Sequence, residues 1–196
     1  MRFRVFALIL IAPASAAHAY EPEIRDGETL VTRVDGDLDG DGMADTAWIT
    51  SSEDKRELVV HLTDGATEAL TLDTTPLGPG TLAIKGGVLL FEDLTGGTTA
   101  IAATRRYRFD KNEIRMRLIG YDATFYSRTE AHNGFEVSWN LVTGAAITRT
   151  MQLNRSGKGD AEFNRIDEHR QVRRSRRVWL SETPSPEDLI EQFRGA

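Results

Sequence analysis

From Thr29 to Leu153 apolar residues recur in short runs, often every second position, and the runs are broken by Gly, Asp and Asn. A strand points successive side chains to opposite faces, so this period predicts half-buried antiparallel strands joined by tight turns. The first set covers 29–34, 46–51, 57–63, 68–73, 81–84 and 88–93. A second and stronger set covers 98–110, 113–122, 123–130, 135–143 and 145–153. There the alternation is clean: Ile114, Met116 and Leu118 fall on one face and Arg115 and Arg117 on the other. Likewise Phe135, Val137, Trp139 and Leu141 oppose Glu136, Ser138 and Asn140. Lys85-Gly86-Gly87 reads as a hairpin turn because glycine accepts the positive φ such loops require. Asp110-Lys111-Asn112 and His132-Asn133-Gly134 supply two more turns.

Helical spacing emerges only near the C-terminus. Ser185 is placed to cap, Pro186 to occupy the first helical position, and Glu187 and Asp188 to complement the helix dipole. Leu189, Ile190 and Phe193 then form one apolar stripe, which predicts a short helix over 185–194. Residues 154–184 are polar and, over 165–177, arginine-rich; they read as loop, exposed strand or irregular chain. No long repeat is present. The expected fold is a single, mainly β domain over 20–196, an antiparallel meander, curled or propeller-like, closed by the short C-terminal helix.

The first nineteen residues depart from this texture. Arg2 and Arg4 precede an apolar run from Val5 to Ala12, and small residues follow up to Ala17-His18-Ala19. Those three zones predict a secretory signal peptide over 1–19, cleaved after Ala19, and hence a periplasmic or secreted protein. The run is too short to span a bilayer, so no transmembrane segment is expected. With no cysteine, stability in an oxidising compartment must come from the core, backbone pairing or a bound ion rather than from disulfides.

Charge narrows the partners. The net charge is −6, which argues against nucleic acid. Acidic side chains outnumber basic ones 17 to 5 over residues 20–100, and the balance reverses to 13 against 17 over 101–196. Arg165, Arg170, Arg173, Arg174, Arg176 and Arg177 dominate the basic half. They read either as an internal complement to the acidic half or as a patch attracted to an anionic envelope surface or protein partner.

The clearest chemistry lies in Asp37-Leu38-Asp39-Gly40-Asp41-Gly42-Met43-Ala44-Asp45, with carboxylates at positions 1, 3, 5 and 9 and glycine at position 6. Calcium takes six to eight hard oxygen ligands, and a chain wrapping round it offers alternate side chains and a position 7 carbonyl, here Met43. Position 12 is Trp48 where an EF-hand places glutamate, so this is not a helix-loop-helix sensor. The other reading is a solvated acidic hairpin, but five aspartates in eleven residues, counting Asp35, repel one another and gain nothing as a plain turn. The loop resembles the DxDxDGxxD calcium loops of FG-GAP and VCBS repeat proteins. That resemblance implies a structural Ca2+ held by the Asp37, Asp39, Asp41 and Asp45 side chains and the Met43 carbonyl. The Phe-Gly and Gly-Ala-Pro elements of that repeat are absent, and the loop occurs once.

A longer stretch, with LIGYD at 118–122, Arg128 and SWNLVTG at 138–144, resembles small exported bacterial proteins of unknown function that pair one such loop with LIGYD and SxNxLTG strands. The resemblance implies no activity. Tyr121-Asp122 and Asn140 to Gly144 read as strand ends and turns, or as a polar surface joining Asp122, Arg128, Ser138 and Asn140. No metalloprotease, phosphate-loop or dinucleotide motif is present, and His61, His132 and His169 lack a recognisable catalytic context. The pair Glu92-Asp93 is the candidate for carboxylate chemistry. The expected function is that of an exported calcium-binding module, non-catalytic and structural or ligand-binding in the cell envelope. The alternative is an exported hydrolase whose site is assembled from residues distant in sequence.

Overall fold

The computed structural model of the protein describes residues 19–156 and 162–194. The expected signal peptide, but for Ala19, lies outside the described residues. Among the described residues eleven strands form two antiparallel meanders. β1 (Thr29–Gly36), β2 (Asp45–Ser51), β3 (Arg56–His61) and β4 (Thr67–Thr71) make a four-stranded sheet in sequence order. β5 (Thr81–Lys85), β6 (Val88–Gly96), β7 (Thr99–Asp110), β8 (Arg115–Ser127), β9 (Gly134–Asn140), β10 (Ala145–Leu153) and β11 (Phe163–Val172) make a seven-stranded sheet, again in order. A single 3-10 turn, Leu180–Glu182, precedes helix α1 (Pro186–Arg194). The mainly β meander with a short C-terminal helix is therefore the fold, divided into two sheets and not closed into a barrel.

Three boundaries differ from the sequence reading. The expected strands over 113–122 and 123–130 merge into one, β8, because a register shift opposite Arg106 and Tyr107 absorbs the change in alternation near Ile119 and Gly120. The extra residue makes a bulge, which bends a strand without ending it. Ile114 falls in the preceding turn, exposed and at φ 54°, rather than on the face of Met116 and Leu118. Part of the 154–184 segment is also regular: 163–172 pairs with β10 as an edge strand whose side chains mostly face solvent, so no hydrophobic period marks it. Finally, Leu141 to Gly144 belong to the turn after β9, with the Asn140 side chain accepting the Val142 and Thr143 amides.

The two sheets share a core. Across the seven-stranded sheet one inner row runs Phe91, Arg105, Tyr121, Trp139 and Ala146, each opposite the next in register. Ala47, Ile49, Leu58, Val60 and Leu70 of the smaller sheet join the same cluster. Leu189, Ile190 and Phe193 of α1 complete it, each about 1.5–3 kcal/mol when buried, with Phe193 edge-on to Trp139. Ser185 caps the helix, its hydroxyl accepting from the Asp188 amide at 3.0 Å. Upstream of α1, three inner-face side chains fasten the chain to the sheet. Tyr107 Oη donates to Thr183 Oγ1, Tyr121 Oη to the Pro184 carbonyl and Trp139 Nε1 to the Arg173 carbonyl.

At Gly134 the strands approach so closely that a Cβ would sit 2.4 Å from the Phe125 carbonyl oxygen, a backbone atom that cannot swing aside. Gly134→Ala is expected to cost about 1–3 kcal/mol by overpacking, read as a lower urea midpoint with an unchanged m-value.

Candidate metal centre

The acidic loop joins β1 to β2 and folds on itself through its own carboxylates. Asp37 Oδ1 and Oδ2 accept the Gly40 and Gly42 amides at 2.6 and 3.1 Å. Asp39 Oδ1 accepts the Asp41 amide at 2.9 Å, and Asp41 Oδ1 the Met43 amide at 2.7 Å. Gly40 and Gly42, at φ 84° and 85°, take the left-handed conformation on which the loop's turns rest.

Asp45, the first residue of β2, anchors the arrangement. It is 1% exposed, and its two oxygens accept the Leu38 amide at 2.7 Å and the Thr63 amide at 2.9 Å. Leu38 is itself a core residue, so the loop is pinned to the hydrophobic interior beside its own acidic centre.

Asp37, Asp39 and Asp45 each bring a carboxylate oxygen within 4.8 Å of the others, a group that can hold a metal ion. Each oxygen has two lone-pair sites, so accepting an amide leaves capacity for a cation. Asp41 lies outside this group: its second oxygen takes the Thr63 hydroxyl at 2.8 Å. Met43 is exposed, its amide committed to Asp41. The electrostatics divide along the same line. Burial, together with the charges of Asp45, Asp41 and Asp37, pushes the Asp39 carboxyl above its usual range. The Met43 amide and the Thr63 hydroxyl hold Asp41 below it. An open cleft of about 670 Å³ adjoins the loop, walled by Ile84, Phe109 and the cations Arg108 and Lys111.

The other candidates separate in space. Asp122 accepts the Ser138 hydroxyl and Arg106 Nη1, both at 2.6 Å, on the outer face of the larger sheet. Arg128 instead donates to the Gly97 carbonyl and Asn140 serves its own turn. Glu92 and Asp93 point to opposite faces of β6, the first exposed and the second buried against Arg56. His61 stacks on Tyr20 and pairs with Thr67, whereas His132 stacks on Phe125 and pairs with Thr99 and the Asn133 carbonyl. His169 is exposed on β11.

Among the described residues the arginine-rich segment makes its ion pairs within residues 101–196, not with the acidic half over 20–100. Arg165 pairs with Glu136, Arg170 with Glu168, and Arg177 with Asp110 and Glu113. Arg173 donates to the Gln192 carbonyl and lies over the Phe193 ring. Among the described residues no helix is long and apolar enough to cross a membrane.

Sequence reading missed two features with a bearing on function. Thr63, from the turn after β3, closes on the acidic loop, and Arg105 lies buried between Phe91 and Tyr121. Only the second left a trace, since Ala103, Arg105 and Tyr107 share an inward parity along β7. No protein-family model, curated protein or solved structure matches this chain, so its function is argued from its own residues.

Proposed function

We propose that the protein is an exported, non-catalytic β module of the cell envelope that binds one structural calcium ion in the 37–45 loop. The observation that carries the reading is the meeting of Asp37, Asp39 and Asp45 oxygens within 4.8 Å, beside a hydrophobic anchor at Leu38. Uncompensated, three carboxylates so close repel one another. Calcium removes that repulsion and accepts the loop's remaining oxygens, including Asp41 and the Met43 carbonyl, at its flexible coordination shell. Magnesium demands near-ideal octahedral geometry and sheds its water reluctantly, which suits an irregular loop less well. A structural rather than catalytic role fits the surroundings, where His61 and His132 pair with hydroxyls and a carbonyl instead of carboxylates.

Thermal unfolding in excess chelator and again in millimolar calcium tests this. For a dissociation constant of about 10⁻⁴ to 10⁻³ M the native state gains about 0.4–1.4 kcal/mol in 1 mM calcium, seen as a higher midpoint with calcium and little change with magnesium. Equal midpoints in all three conditions make the loop a solvated turn. The raised Asp39 pKa sets the sign of the pH dependence. Folding favours its protonated form, so without metal this group costs stability as pH rises through the carboxylate range, and proton and calcium compete for it.

A further inference from the structure

A second cavity, of about 290 Å³, lies between the sheets at the start of α1 and shares no lining residue with the cleft beside the acidic loop. Two polar groups on its wall are buried without a hydrogen-bond partner among the described residues: Arg105 Nη1 and Thr95 Oγ1. Arg105 is 4% exposed and Thr95 2%. A buried cation and a buried hydroxyl are both costly unless something accepts their hydrogens.

Among the described residues no carboxylate is hydrogen-bonded to Arg105, and Asp93 attracts its charge only at longer range. Its Nε donates to Tyr121 Oη at 3.1 Å, and its guanidinium lies over the Phe91 and Tyr121 rings at 5.2 and 5.1 Å. Burial raises both neighbouring tyrosines, Tyr107 to about 12, so neither supplies an anion. The one buried carboxylate close by, Asp93, is spent on Arg56 through two hydrogen bonds at 2.8 and 3.0 Å. The buried cluster of Arg56, Asp93 and Arg105 thus carries one positive charge in excess.

We propose that this cavity binds a small organic monocarboxylate. Its two oxygens would accept from Arg105 Nη1 and the Thr95 hydroxyl, a charge-assisted arrangement that settles both groups at once. Leu70, Leu72, Pro184 and Pro186 on the walls suit a short aliphatic chain. Asp73 and Glu187, exposed residues of the same lining, repel a second negative charge and so disfavour a phosphate dianion. The volume is at the small end for ligand sites, which limits the guest to a short acid.

The test is calorimetric titration of the full chain with sodium butyrate, beside butan-1-ol, sodium chloride and sodium phosphate, repeated on Thr95→Val and Arg105→Met. Saturable binding of butyrate alone is expected. Affinity should weaken about tenfold in Thr95→Val and disappear in Arg105→Met. Should Arg105→Met not fold, Thr95→Val and the wild-type Arg105 Nε–H resonance, which must move on titration, carry the decision. Butyrate behaving like chloride, phosphate binding as well as butyrate, or an unaltered affinity in Thr95→Val overturns the assignment. Calcium has no part in these readouts, so this proposal and the one for the acidic loop fail separately.

Discussion

Asp93→Ala is expected to lower the unfolding free energy by about 3–5 kcal/mol, a large share of the 5–15 kcal/mol typical of a folded domain. Arg56 on β3 and Asp93 on β6 belong to different sheets, and their side chains are 1% and 3% exposed. The pair therefore couples the two sheets through a bidentate contact in the core, with Arg56 Nη2 also donating to the Pro79 carbonyl at 3.3 Å. Forming such a pair gains little net, because desolvating both ions offsets their attraction; breaking it is what costs, since a charge is left stranded. Here the stranded charge would be Arg56, with Arg105 on the same inner face lacking any anion of its own. The double variant Arg56→Met with Asp93→Leu should recover most of the loss, because it strands nothing. Urea denaturation decides it, and an Asp93→Ala chain within about 1 kcal/mol of wild type would mean that water reaches the pair.

That pair also marks where the sequence stops being informative. Strand positions were legible because each is a local pattern: nine of the eleven strands coincide with alternating or β-branched runs. β8 was divided because a bulge reverses parity between Leu118 and Tyr121, both of which face the core. β11 could be read only as one of three alternatives, exposed strand beside loop and irregular chain, because an edge strand with solvated faces carries no hydrophobic period. The partition into two sheets was equally hidden, since nothing between Leu72 and Thr81 distinguishes a sheet change from another hairpin. The acidic loop was legible for the opposite reason, its geometry being written in spacing over nine residues. Its departure from that spacing, Asp41 turning to Thr63, comes from a turn 22 residues away. Arg105 was missed: it shares the parity of Ala103 and Tyr107 along β7, but a sequence of arginines at 105 and 106 gives no sign of which lacks a carboxylate. Among the described residues Arg106 is paired with Asp122, and Arg105 is paired with no carboxylate.

Asp45 joins fold and site in a single side chain, and its replacement should affect both. Alanine there removes the acceptor of two amides, Leu38 and Thr63, in a position 1% exposed. Each buried donor left unpaired costs about 1–3 kcal/mol, so Asp45→Ala should lose about 2–6 kcal/mol even in chelator. Asparagine separates the contributions. One amide oxygen can still accept, while its NH2 faces a backbone donor, so about half of that loss is expected. Neither variant keeps the third carboxylate of the Asp37, Asp39 and Asp45 group, and both should therefore lose the calcium-dependent rise in midpoint. Asp39→Asn makes the contrast: its one hydrogen bond lies within the exposed loop, so stability in chelator should stay within about 1 kcal/mol of wild type while the calcium response falls. If Asp45→Asn unfolds at the wild-type midpoint in chelator, Asp45 is not the anchor described here. If it still responds fully to calcium, the ion is held elsewhere, because a centre built on three carboxylates cannot lose the most buried of them and bind unchanged.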